Sequence, residues 1–60
     1  VTSKAISIGR DVWLGAHVGI KDGVRIADQA IVGMNSMVTK DVATREIIAG
    51  NPAKLIRYRD

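Results

Sequence analysis

The chain has 60 residues, no cysteine and one histidine, which leaves room for one small domain and excludes disulfides, thiolate metal centres and histidine clusters. A chain this short keeps much of its surface in water, so with no staple of its own it is expected to gain stability by self-association. The formal net charge is +3, with Lys40, Arg45, Lys54, Arg57 and Arg59 late in the sequence, and a basic tail of this kind reads first as solvated surface.

Val and Ile dominate the apolar residues and Trp13 and Tyr58 are the only aromatics, a composition that favours strands. No apolar run is long enough to span a membrane. Val1-Thr2-Ser3-Lys4 lacks the charged start and apolar core of a signal peptide, and a cytoplasmic location is expected. The first residue is not Met, so the natural start is expected upstream. No basic surface interleaved with aromatics is present, and neither a nucleic-acid partner nor a membrane is expected.

A repeat of six runs over residues 2 to 42. Ile8, Leu14, Ile20, Ile26, Val32 and Val38 stand six apart. Ile6, Val12, Val18, Val24, Ala30 and Ser36 come two residues before them, with Val42 next in that series and Thr2 six before Ile8. On a helix, at about 100° per residue, successive members would point in three directions. Short strands joined by tight turns fit instead. Ile6-Ser7-Ile8 puts both isoleucines on one face, Gly9-Arg10-Asp11 turns, and Val12-Trp13-Leu14 begins the next face.

Three such faces close a triangular coil of 18 residues, and coils stack through parallel ladders about 4.8 Å apart. This predicts Ile8 under Ile26, Leu14 under Val32 and Ile20 under Val38. Ala30 and Ser36 fit tight corners, and Gly9, Gly15 and Gly33 follow inward residues where turn geometry favours a missing Cβ. Trp13 alternates between inward neighbours and is expected to point outward.

Beyond Val42 the period stops. Ala43-Thr44-Arg45-Glu46 reads as a loop and Ile47-Ile48-Ala49 as a short strand. Gly50-Asn51-Pro52 then turns into a helix, with Asn51 as N-cap and Pro52 as first helical residue. Leu55, Ile56 and Tyr58 are expected to cover the last coil. Two parts follow: coils over residues 1–42, and a loop, strand and capping helix over 43–60. The amino end carries no cap, which predicts further coils upstream, this chain being a fragment or the final part of a larger subunit.

Four segments carry a family likeness. Ile8-Gly9-Arg10-Asp11-Val12-Trp13-Leu14-Gly15-Ala16 resembles the "IGxxVWIG" of hexapeptide-repeat acyltransferases, and Asp22-Gly23-Val24-Arg25-Ile26 resembles their "PGVxIG". Ile31 to Asp41 resembles "VIGAGSVVTKD", and Ala49-Gly50-Asn51-Pro52-Ala53-Lys54-Leu55-Ile56-Arg57 resembles the closing "AGNPAKxIR". The likeness spans nearly the whole chain, nearest in look to galactoside, maltose and xenobiotic acetyltransferases. It implies a left-handed parallel β-helix of about two to three coils, a homotrimer, and acetyl-CoA as acyl donor in a cleft between neighbouring subunits. It also implies a small-molecule acceptor, whose identity the sequence leaves open.

Site residues follow from the resemblance by position. Ala16 matches a position whose backbone lines the thioester end of the coenzyme, and its N–H is the candidate oxyanion donor. Met34 stands where alanine is usual, again as a main-chain contact. Thr39 and Lys40 match the Thr-Lys pair along the pantetheine and phosphates. Lys54 and Arg57 match basic positions that meet the adenosine phosphates, and read equally as surface charge. Trp13 is a wall of the cleft or a packing contact with a neighbouring subunit.

In this family a histidine deprotonates the acceptor. His17 is the one imidazole available, but the family's base belongs to coils upstream of "VWIG", so His17 reads more readily as an exposed turn residue. The isolated chain is accordingly expected to be a poor catalyst, and its parent an enzyme. The competing reading is a non-catalytic β-helix module for trimerisation or assembly, which predicts self-association without coenzyme affinity. A carbonic-anhydrase relative on the same fold needs three histidines at a metal, and one is present.

Overall fold

In a computed structural model describing residues 4–60, the six-residue spacing becomes a path through three sheets. Thr2 lies outside the described residues. The strands are β1 (Ser7–Ile8), β2 (Trp13–Leu14), β3 (Gly19–Ile20), β4 (Arg25–Ile26), β5 (Ile31–Val32), β6 (Met37–Val38), β7 (Glu46–Gly50) and β8 (Ala53–Tyr58). The chain visits the sheets in turn. β1 pairs with β4, β2 with β5, and β3 with β6, all parallel, with Ile8 opposite Ile26, Leu14 opposite Val32 and Ile20 opposite Val38, as the spacing predicts. Among the described residues there is no helix, hence none long and apolar enough to cross a membrane.

Burial follows the same spacing. Val24, Ile26, Ala30, Val32, Ser36, Val38 and Val42 form the buried interior with Ile48. Val12, Leu14, Val18 and Ile20 pack against them from the preceding rung. Ser36 is the polar member of the inward set, and it is satisfied. Its hydroxyl donates to the Gly33 carbonyl at 2.6 Å and accepts the Gly50 N–H at 3.1 Å, tying one corner to the next rung.

The corners have a period of their own. Asp11, His17, Gln29 and Asn35 have φ between 56° and 64°, and Gly23 has φ 78°, so every sixth residue from 11 to 35 is left-handed. Asp, His, Asn and Gly are the residue types that tolerate this conformation best. Gly15 has another reason to lack a side chain: a Cβ there would lie 2.6 Å from the Met34 nitrogen of the rung above. Close approach of successive rungs, rather than the turn conformation expected, excludes larger residues at that position.

The third rung departs from the expected count. Val42 bridges to Ile26 and Ile48 pairs with Val32, sixteen residues on in each case instead of eighteen. The shortening falls between Val38 and Val42, where Thr39-Lys40-Asp41 makes the whole corner. Val42 therefore takes the register position of Ile8 and Ile26, not that of Ile6 and Val24 as its spacing implied. Asp41 compensates for backbone lost there, since its carboxylate accepts the Arg25 N–H at 2.9 Å.

The expected C-terminal helix is not formed. Residues Ala53–Tyr58 are strand β8, antiparallel to β7, with Gly50 opposite Ala53, Ala49 opposite Lys54 and Ile47 opposite Arg57. Gly50, at φ 106°, and Asn51-Pro52 make the hairpin turn. Asn-Pro serves a turn as well as a helix start, and a helix this short is marginal alone. The free edge of β7 offers a full ladder instead. As a result Leu55, Ile56 and Tyr58 are exposed and do not cover the last coil, whereas Ala53 packs against the core.

Candidate functional site

β2 and β5 end one above the other, so Gly15-Ala16-His17 lies beneath Gly33-Met34-Asn35. The Asn35 N–H donates to the Ala16 carbonyl at 2.9 Å, joining the two corners. Trp13 projects from β2 with 70% of its surface exposed, because Val12 and Leu14 on either side face the core. Met34 is 67% exposed. Trp13, Gly15, Ile31, Val32, Gly33 and Met34 line a hollow of about 220 Å³ with apolar walls throughout. Ala16 and His17 continue from its rim and are exposed.

The Ala16 N–H has no acceptor among the described residues. The equivalent position on the preceding edge explains why. There the Arg10 N–H donates to the carboxylate of Asp28, eighteen residues on, at 2.9 Å. Met34 holds the corresponding position above Ala16 and has no oxygen to offer. An open amide at the mouth of an apolar hollow can donate to a carbonyl oxygen that gains negative charge during acyl transfer.

Thr39 and Lys40 stand on the next edge, at the shortened corner. With Val38, Asp41, Val42, Glu46, Ile48, Ala53 and Leu55 they line a second hollow, of about 160 Å³, at the end of the stack. Thr39 is half-buried and Lys40 exposed. Ala53 and Leu55 line this hollow from β8, with Lys54 between them and Arg57 further along the strand, both exposed. The sequence-predicted site thus separates into two groups within one chain. Trp13, Ala16, His17 and Met34 share one edge, and Thr39 and Lys40 share another with β8 alongside.

Sequence reasoning did not single out Ile31, which walls the apolar hollow above Trp13. Its signal was present. Outward positions on this sheet are Trp13, Ile31 and Ile47, whereas those on the β1–β4 sheet are Ser7 and Arg25. Among the described residues, no cluster of His, Cys, Asp and Glu could hold a metal ion.

The stacked hexads and their corners define a class, and comparison with known proteins agrees. The family described as bacterial transferase hexapeptide (six repeats) matches residues 5–40, and the chain belongs to it. It is 49% identical over 53 residues to a chloramphenicol acetyltransferase from Morganella morganii, covering 88% of this chain and 25% of that protein. The structure of a maltose O-acetyltransferase from Clostridium difficile 630 superposes with a TM-score of 0.92 at 35% identity, covering 95% of this chain and 30% of that one. A hexapeptide-repeat acetyltransferase from Vibrio cholerae, solved in complex with acetyl coenzyme A, gives a TM-score of 0.91 at 40% identity over 95% of this chain and 32% of its own. The chain thus spans about a quarter to a third of the proteins it resembles.

Proposed function

We propose that this chain is the coenzyme-binding, C-terminal part of an acetyl-CoA-dependent acyltransferase acting on a hydroxyl or amine of a small acceptor. The observation that carries the reading is its likeness, at 40% identity over 95% of the chain, to an acetyltransferase solved with acetyl coenzyme A. In this reading the stack is a left-handed coil of two to three triangular turns over residues 1–42, closed by residues 43–60, in a cytoplasmic homotrimer. A cleft shared between neighbouring subunits accounts for the separation of the site residues. Two edges of one prism cannot face each other, but an edge of one subunit can face a different edge of the next.

The residues fit such a ligand. The apolar hollow beside Trp13 and Met34 suits an aliphatic arm, and Lys40, Lys54 and Arg57 suit its phosphates through charge-assisted hydrogen bonds. Thr39 adds a hydroxyl along the same path. The acceptor oxygen or nitrogen attacks the thioester carbonyl, the carbon–sulfur bond breaks, and the sulfur leaves with a proton. In this reading the Ala16 N–H donates to the carbonyl oxygen, a contact whose loss typically slows such reactions by about a hundredfold or more. His17 is exposed at φ 57°, a conformation that suits its residue type, and we read it as a corner residue and not the base.

Release of free thiol from acetyl-CoA by the full-length parent, measured beside the coenzyme A affinity of this chain, tests the reading. Chloramphenicol and maltose, for which similar proteins are named, are the first acceptors to try. Acceptor-dependent thiol release supports the proposal. A folded trimer with neither turnover nor affinity for coenzyme A contradicts it and favours an assembly module.

A further inference from the structure

Three left-handed corner residues, Asp11, Gln29 and Arg45, occupy one edge of the stack, on the passage from the β1–β4 sheet into β2, β5 and β7. Their carbonyls converge on one residue. Arg59, just beyond β8, donates its main-chain N–H to the Arg45 carbonyl at 2.7 Å. Its Nη1 donates to the Gln29 carbonyl at 3.1 Å and, more weakly, to the Asp11 carbonyl at 3.4 Å. These contacts reach back 30 and 48 residues, from the last residues of the chain to its first described corner. The other corner residues, His17, Gly23 and Asn35, have no side chain bonded to their carbonyls among the described residues.

We propose that Arg59 is a clasp that locks the C-terminal strand to the stack and thereby positions Lys54 and Arg57. A guanidinium has several donors in a fixed plane, so one side chain can bridge carbonyls on successive rungs, and its charge strengthens each bond. β8 needs such an anchor. It pairs with β7 alone, and most of its side chains lie in solvent. The hairpin turn at Gly50 holds one end of β8, and Arg59 holds the other. The clasp itself stands on these contacts. Its effect on Lys54 and Arg57 as coenzyme ligands rests on the reading given above.

Hydrogen exchange on the Arg59→Ala and Arg59→Lys variants tests the clasp. The amides of Gln29 and Arg45, which donate to the Arg10 and Asp28 carbonyls on this edge, should exchange about tenfold faster in Arg59→Ala, together with those of β8. The Gly19 and Lys21 amides, which join β3 to β6, should keep their rates. Arg59→Lys, with one ammonium in place of a planar fork, should fall between. Unchanged exchange on the clasped edge, or the same acceleration everywhere, overturns the clasp. For the positioning role, coenzyme A affinity in Arg59→Ala should fall several-fold, and by less than in Lys54→Ala. Unchanged affinity in a variant whose β8 amides exchange faster overturns that role alone. If the unaltered protein binds no coenzyme A, the functional reading fails while the exchange result still judges the clasp.

Discussion

Ile8 and Ile26 are the same residue in the same register, one rung apart, yet Ile8 is 48% exposed and Ile26 1%. The contrast extends along both rungs. Ile6 is exposed where Val24 is buried, and Leu14 is half-buried where Val32 is inaccessible. The hexad period determines which way a side chain points, and the rungs above and below determine how much water it loses. Burying such a side chain fully contributes about 1.5–3 kcal/mol relative to leaving it exposed. Within these 60 residues, equal sequence positions therefore contribute unequally to stability, and the middle rung carries most of the core.

The largest expected effect tests that contrast directly. In the 60-residue chain taken alone, Ile26→Ala should destabilise the fold by about 3 kcal/mol or more, while Ile8→Ala should cost less than about 1 kcal/mol, both read from urea midpoints. Equal losses would break the comparison. A second pair separates close backbone approach from side-chain contact. The Cβ of Gly15→Ala would meet the Met34 backbone nitrogen at 2.6 Å, while that of Gly19→Ala would meet the Met37 sulfur at the same distance. Backbone cannot swing aside and a methionine can, so Gly15→Ala should cost about 2 kcal/mol and Gly19→Ala well under 1 kcal/mol. Similar thermal shifts for the two would show that rung spacing is looser than described.

The smallest effect concerns the corners. His17→Val places a β-branched residue in the left-handed region and should cost about 1–2 kcal/mol, whereas His17→Asn should be nearly neutral. In the full-length parent, acetyl transfer should also survive His17→Asn. Loss of turnover in that variant, with its melting temperature unchanged, would make His17 the base and refute the corner reading.

The ladder was legible because one inward pair per six residues admits a single stacking register, with Ile8, Leu14 and Ile20 beneath Ile26, Val32 and Val38. The corner series Asp11, His17, Gly23, Gln29 and Asn35 was equally present, yet only its conformation reveals why those types recur. The third rung was not legible. Nothing in Thr39-Lys40-Asp41 states that two residues are missing from a corner, because the Asp41 side chain replaces a backbone partner only once the rungs meet. The helix expected after Asn51-Pro52 failed for a related reason. Local cues served turn and helix alike, and the open edge of β7, a tertiary feature, decided between them.

For the site, Trp13 and Met34 line one hollow with Ala16 exposed beyond its rim, and the separation of these residues from Thr39 and Lys40 required the fold. Ile31 needed the exterior of each sheet to be read as carefully as its interior. The coenzyme claim is tested most directly by titration calorimetry with acetyl-CoA, on protein whose oligomeric state has been fixed by light scattering. The account predicts saturable binding at one site per subunit of a trimer, weakened about tenfold by Lys40→Ala through loss of a charge-assisted bond. A folded trimer that takes up no acetyl-CoA, or one whose affinity ignores Lys40→Ala, Lys54→Ala and Arg57→Ala alike, would contradict it.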